Sequence, residues 1–419
     1  NGQNPQILMN LIEVYIGAGQ AAEAEALLDG ARQARVLNPE VLNRIAKLFL
    51  DQGNKGGTTE VLLRSLRYWP GQEILEHMLT VIKSKRPRIA FFCGADGNTF
   101  LDPVRSYLDK RFETRVFTGR TEEELYELMR WSDISWFEWC TDLAVIGSNG
   151  PKTCQTIIRL HRYEAYTELP SRVNWHNVDV LITVGNSFVQ QALLNGTGPI
   201  DPCTSMVTIP NGVDLEAMKF LDRPVGKNIA FVGNIRMVKN PPLLLQCIHR
   251  LRLADGRYRL FVAGVFQDGA LEQYVHHTIK ELGLTEAVVF DGWQQDISRW
   301  LADKHYVVSS STIESQGMGI LQGMACGLKP VIHNFPGARE IYGGEFLFNT
   351  PEQFCERIVS GAYEPARYRQ FVEQNYSQAR QLARTNDLLI KLERRIDADK
   401  QGNFSAAREI SSSAERAVF

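Results

Sequence analysis

Ten short apolar runs, arranged in two successive series, limit what this chain can fold into more than any other feature of it. The first series is RIAFFCG (88–94), ETRVFTG (113–119), DISWFEW (133–139), QTIIRLH (155–161) and VDVLITV (178–184). The second is NIAFVGN (228–234), YRLFVAG (258–264), AVVFDG (287–292), HYVVSSS (305–311) and KPVIHN (329–334). Polar loops and stretches of helical periodicity separate them. Such alternation predicts an α/β fold with parallel sheets and helices on both faces. TIPNGVD (208–214) reads as the turn that closes the first domain, and Pro224–Lys227 as the linker to the second. Two doubly wound domains in tandem bring the carboxyl ends of two sheets to one cleft, where ligands of such sheets bind. After about residue 350 the pattern is helical to about Asp397, and the last twenty residues, with Ser411–Ser413, read as a flexible tail.

The first 86 residues obey a different rule. Pro5 and Pro39 are 34 residues apart, each inside an Asn-Pro pair, and Gly19 and Gly53 repeat the same interval. That period marks a two-helix repeat. The first copy carries Leu11, Tyr15, Gly19, Ala24, Leu28 and Ala31. The second carries Ile45, Ala46, Phe49, Gly53, Leu62 and the closing Pro70, with Thr58 and Ser65 at positions where Ala is usual. The spacing resembles the tetratricopeptide (TPR) repeat. In such a repeat the large residues fill the gap between two antiparallel helices and the small ones allow close approach. A further helix over about 72–85 would cap the stack. The alternative is an unrelated antiparallel helical hairpin. Two repeats and a cap are short for a free-standing solenoid. The block therefore docks on the next domain of the chain or ends a longer array. Asn1 lies three residues before the first Asn4-Pro5 pair, so the chain reads as a piece cut at a repeat boundary.

Composition narrows the function classes. Lys plus Arg is 46 and Asp plus Glu is 48, a net charge of −2 with no global electrostatic footprint for nucleic acid. The seven cysteines form no CxxC pair, and their number and placement read as reduced thiols of a cytoplasmic protein. No apolar run approaches the ~20 residues of a membrane-spanning helix. Lys83, Lys85, Arg86 and Arg88 form a small basic cluster, read as a solvated linker face, with a peripheral lipid contact as the weaker alternative. His276-His277 and the other histidines lack metal-ligand spacing. Asp397-Ala-Asp399 reads as surface rather than as a metal site. Glu138 stands in the apolar run Trp136–Trp139, where a carboxylate must be paired; it faces a cleft or bonds a backbone amide.

The most informative segment is Ser311–Val331. A strand ends at Ser311; a loop with Glu314, Gly317 and Gly319 comes next; then a helix rich in Ala and Gly. Small residues at a helix start let backbone N–H groups face an anion. Ser311, Glu314, Gly317, Met324, Ala325, Gly327, Pro330 and Val331 together resemble the donor-site segment of retaining family-4 glycosyltransferases of the GT-B fold. One position departs: Gln322 stands where that family usually has a second Glu holding the donor ribose, and Gln lacks the charge that strengthens such a bond. The resemblance continues in chain order over about residues 88–390. Gly94 and Gly97 resemble the Gly-containing loop of the first domain. Leu160–Glu164 resembles the strand end whose His reaches the transferred sugar. Pro210–Asp214 resembles the interdomain turn. Gly233, Arg236 and Lys239 resemble the loop that neutralises the diphosphate, with Asn234 at the expected Arg position. Phe290–Trp293 resembles the loop beside the nucleobase, and Gly337 and Glu340 the family's Gly-x-x-Glu.

The resemblance implies sugar transfer from a nucleotide-diphosphate sugar to an acceptor hydroxyl, with retention and without a protein nucleophile, cofactor or metal. Catalytic positions would be His161, Lys239 and Glu314. Donor-binding positions would be Gly94, Gly233, Arg236, Lys239, Trp293, Ser311, Glu314, Gly317, Met318, Gly319, Ile320 and Gln322. The expected domains are the TPR-like block 1–86, an acceptor domain 87–224 completed by helices 376–397, a donor domain 225–375, and a tail 398–419. The acceptor is a protein or a surface glycan, presented by the repeat block in the first case by analogy with O-GlcNAc transferase. The competing readings are a nucleotide-sugar-binding scaffold weakened through Gln322, and a GT-B nucleotide-sugar epimerase.

Overall fold

A computed structural model describes residues 5–33, 35–84, 87–94, 100–360 and 362–415, with the side chains of 29, 33, 81, 83, 84 and 397–415 left undescribed. Gly97 lies outside these residues, as do the side chains of Lys83, Lys85, Arg86, Asp397 and Asp399.

Among the described residues, twelve strands form two six-stranded parallel sheets. The first takes the order β2-β1-β3-β4-β5-β6, built from β1 (Arg88–Cys93), β2 (Glu113–Val116), β3 (Ile134–Glu138), β4 (Gln155–Leu160), β5 (Val180–Thr183) and β6 (Ser205–Thr208). The second takes the order β12-β11-β10-β7-β8-β9, from β7 (Asn228–Val232), β8 (Arg259–Ala263), β9 (Val288–Gly292), β10 (Tyr306–Ser309), β11 (Lys329–His333) and β12 (Leu347–Phe348). All ten expected runs are strands. Two strands were not read from the sequence. β6 is an edge strand with mostly exposed residues, and β12 has two residues, so neither carries an apolar run.

The chain divides into two compact units, Asn1–Glu138 with Ile146–Ile157 and Arg384–Phe419, and Trp139–Val145 with Ile158–Ala383. In the first, residues 5–84 form helices α1 (Pro5–Gly17), α2 (Ala21–Ala26), α3 (Leu28–Gln33), α4 (Pro39–Asp51), α5 (Lys55–Tyr68) and α6 (Glu73–Ser84). This arrangement is compatible with a helical repeat. The second Asn-Pro pair is a helix start: the Asn38 side chain accepts the Val41 amide at 3.0 Å and Pro39 opens α4. Gly19 and Gly53 end their helices in the left-handed region, at φ 75° and 73°.

Ala24, Leu28, Ala31, Ile45, Ala46, Phe49 and Leu62 are buried together. Leu11 is not in that gap: it is 39% exposed, and Leu8 and Ile12 fill the space instead. The helical stretch 21–33 is interrupted at Leu27, whose amide turns back to Ala24 O. Buried Thr58 and Ser65 are satisfied locally. Thr58 donates to Asn54 O at 2.9 Å, and Ser65 donates to Asn43 Oδ1 at 3.3 Å while accepting from Gln72 Nε2 at 3.1 Å.

The last helix runs Gln378–Glu415. The segment 398–415, expected as a tail, is therefore helical, consistent with the helix-forming run Ala406–Glu409. Within the first unit this helix carries a buried charge. Glu393 and Arg111 face each other at 2.8 Å with both side chains 5% exposed, and Lys55 stands 3.9 Å from Glu393. Burial pulls the Arg111 guanidinium below its ordinary pKa, and the charge of Glu393 opposes that shift. Asn386 donates to Asn54 Oδ1 at 3.1 Å beside this pair. Removing one partner of a buried ion pair leaves an uncompensated charge, so Glu393→Ala lowers stability by about 3–5 kcal/mol, read as a lower urea midpoint.

Candidate functional site

In an open α/β sheet, ligands bind beyond the carboxyl ends of the strands, at the point where strand order reverses. In the second sheet that point lies between β7 and β10. The loops leaving these two strands carry Lys239 and Glu314, which are 75 residues apart in sequence. After β7 the chain passes Gly233, extends through Arg236 and makes a single turn, Met237–Lys239. After β10 it passes Ser309–Ser311 to Glu314. The Lys239 ammonium pairs with the Glu314 carboxylate, and Ser311 Oγ donates to the same carboxylate oxygen at 2.8 Å. Lys239 is held from behind by Ser310 Oγ, which donates to its carbonyl at 2.7 Å. Glu314, only 8% exposed, thus has its charge balanced by one cation and accepts a hydrogen bond from one hydroxyl.

Gly317 enters the left-handed region at φ 76° and begins helix Met318–Ala325. Gly319 and Gly323 face the sheet. A Cβ on Gly319 would lie 2.4 Å from Val232 O, and one on Gly323 would lie 2.6 Å from Val307 Cβ. These two glycines let the helix press onto β7 and β10 and bring its first amides to the strand ends. The Ile320 amide already donates to Gly317 O at 3.0 Å, whereas those of Met318 and Gly319 open the helix. Gln322 is half-buried on the same helix.

A buried polar seam fixes this loop. Asn211 and Gln316 exchange two hydrogen bonds: Asn211 N donates to Gln316 Oε1 at 2.8 Å, and Gln316 Nε2 donates to Asn211 O at 2.6 Å. The guanidinium of buried Arg159 donates to Asn211 Oδ1, and Tyr342 donates its phenolic hydrogen to Gln316 O. Burial, with a smaller push from Glu314, raises the Tyr342 phenol well above its ordinary pKa, so it stays a donor. Asn186 donates to Glu314 O at 3.1 Å, and Glu340 accepts from both the amide and the hydroxyl of Ser187. Sequence reasoning did not single out Gln316, Asn186 or Ser187. They are lone polar residues in a loop or at a helix start, and no periodicity marks them.

The other expected site residues lie at strand ends and in loops. His161 directly follows β4, is 4% exposed and stacks on Trp139 with ring centroids 3.8 Å apart. Gly94 comes directly after β1. Arg236 is exposed, and its guanidinium donates to Gln267 Oε1 at 3.3 Å. Trp293 is 71% exposed, just past Gly292 at φ 68°. Glu138 is fully buried and accepts Trp136 Nε1 at 3.0 Å, an indole partner that sequence reasoning did not foresee. Among the described residues, His176, Asp201 and Cys203 place ligand atoms within 4.8 Å of one another, a grouping that histidine spacing did not reveal. A nitrogen, a carboxylate oxygen and a sulfur so placed suit a borderline-soft cation such as zinc.

Residues 226–361, which span β7 to β12 and the helix Pro351–Val359, match the family model described as "Glycosyl transferases group 1". The fold is GT-B, as in several solved structures. HepE of Anabaena, solved in complex with UDP, is 16% identical, with 72% of this chain and 99% of that chain covered and a TM-score of 0.61. TarM of S. aureus is 16% identical, over 63% of this chain and 57% of that one, with a TM-score of 0.52. The pneumococcal O-GlcNAc transferase GtfA, solved with UDP and GlcNAc, is 13% identical over 65% of this chain and 59% of that one, with a TM-score of 0.52.

The glycine contact gives a direct check. Gly319→Ala forces the helix off β7, because the obstacle is backbone; overpacking of this kind costs about 1–3 kcal/mol, measurable by chemical denaturation.

Proposed function

We propose that the protein is a glycosyltransferase that moves a sugar from a nucleotide-diphosphate donor to an acceptor hydroxyl with retention at the anomeric carbon. One observation carries this reading: Lys239 and Glu314 meet at the strand-order reversal of the second sheet, in the region that matches the glycosyl transferase model. A departing diphosphate develops negative charge that a fixed cation stabilises. Lys239 supplies that cation, with Arg236 beside it and the first amides of helix Met318–Ala325 as further donors. Glu314, relieved of Lys239 by the diphosphate, accepts from the hydroxyls of the donor sugar. Gln322 reaches the ribose, Trp293 the base, and His161 the sugar from the first domain. HepE solved with UDP-glucose and GtfA solved with UDP and GlcNAc are consistent with a uridine donor. No protein nucleophile is used, and the leaving phosphate takes the acceptor proton.

The acceptor is a glycan or a protein, and in the second case the TPR-like block presents it. Gln322 supports a second reading, a donor-binding scaffold with little turnover, because an amide holds ribose hydroxyls less firmly than a carboxylate.

Release of UDP from a panel of UDP-sugars, with and without acceptors, tests the proposal. Lys239→Ala weakens UDP binding about 10–100-fold in calorimetry, the worth of one or two hydrogen bonds to a charged group. EDTA leaves turnover unchanged, since Lys239 takes the cation's place, and the product anomer read by NMR matches the donor's. Gln322→Glu raises donor affinity. If neither form turns over any nucleotide sugar while one binds UDP tightly, the scaffold reading replaces the enzyme.

A further inference from the structure

Three non-glycine residues among those described have positive φ: Arg35, Trp139 and Asn240. Asn240 caps a helix, a place where Asn adopts this conformation readily. Trp139, at φ 73°, is different, since a bulky aromatic residue enters the left-handed region only where its surroundings impose it. The surroundings here are unusually complete. The Trp139 amide donates to Arg159 O at 3.0 Å. The next amide, of Cys140, donates to Glu164 Oε1 at 3.1 Å, and the amide of His161 donates to the same oxygen at 3.2 Å. Glu164 has no exposed surface, so one buried carboxylate oxygen ties the residue after Trp139 to His161. The outcome is the ring geometry: the indole lies on the His161 imidazole at 3.8 Å and 26°, with the Tyr163 ring 5.6 Å from the indole.

We infer that Trp139 is a positioning residue: its left-handed backbone, clamped through Glu164, holds the indole against His161 and fixes the plane of the imidazole that meets the donor sugar. The inference rests on the reading of His161 given above. The strain then has a purpose. An imidazole left to rotate about its two side-chain torsions presents its ring nitrogens in several directions, and a misplacement of about 1 Å at a reacting centre costs up to about a hundredfold in rate. Trp139 touches no reacting atom; it acts through His161.

The test uses Trp139→Gly, Trp139→Phe, His161→Ala and the double variant Trp139→Gly/His161→Ala, in the full chain. Glycine adopts φ 73° without strain, so Trp139→Gly keeps the fold. The expected result is a fall in kcat of about tenfold or more with little change in donor KM. Trp139→Phe, which restores an aromatic face, recovers most of the rate. In the His161→Ala background the loss of Trp139 has no further effect. Full turnover by Trp139→Gly, or losses that multiply in the double variant, overturns the inference.

A second readout does not need turnover. A stacked imidazole quenches indole emission on protonation, and the chain holds six further tryptophans, so the readout is the Trp139 emission, taken as the difference between wild type and Trp139→Phe. That difference carries a pH-dependent step, which is absent from the same difference taken in the His161→Ala background. Glu164, Cys140 and Tyr163 also face this corner and remain in both variants, so a step in the Trp139 emission that survives loss of His161 refutes the stack. If the step behaves as expected while His161→Ala turns over normally, the catalytic reading of His161 is what fails.

Discussion

The exchange of two hydrogen bonds between Asn211 and Gln316 is the interaction on which the site depends. These residues are 105 positions apart, one in the turn after β6 and one in the loop after β10. Each uses backbone and amide groups that are buried and would be costly to leave unpaired. Arg159 and Tyr342 complete the seam, so the loop that carries Glu314 has no freedom to drift from the strand ends. Gly212 continues the constraint. A Cβ there would lie 2.4 Å from Gln378 Cα, so only glycine lets the start of the last helix pass so close. Val213 then pairs with that segment, donating to Tyr376 O at 2.7 Å and accepting from Gln378 N at 2.9 Å.

Above this seam the site is electrostatic. Lys239, Ser311 and Glu314 form a closed neutral group at the strand ends, and Glu340 draws the start of helix Ser187–Thr197 toward the second sheet. A carboxylate at a helix N-terminus is favoured by the unpaired amides and the helix dipole there. Asn186 both caps that helix and donates to Glu314 O, so a single side chain serves folding and the site.

The strands were legible because each buried run concentrates Ile, Val and Phe within five or six residues. The glycine and charge positions Gly317, Gly319, Lys239 and Glu314 were legible through an ordered motif. What escaped was of another kind. β6 and β12 are edges and carry too few apolar residues to stand out. Leu11 was placed in the wrong half of its helix because repeat spacing fixes a period and leaves the phase of the buried face open. Gln316, Asn186 and the Glu164 clamp are pairings between loops, and their partners are defined only after the sheets have formed. The left-handed turn at Trp139 had no signal, because the residue that occupies it is one that disfavours it.

The pairing of Lys239 with Glu314 also bears on selectivity. A ligand that enters this site must separate two opposite charges that already satisfy one another. A free sugar brings hydroxyls for Glu314 and nothing for Lys239, so it would leave an ammonium stranded. A molecule carrying phosphate and sugar at the right separation satisfies both at once. On the proposed reading the ion pair therefore favours a ligand that carries both groups over one that carries either alone.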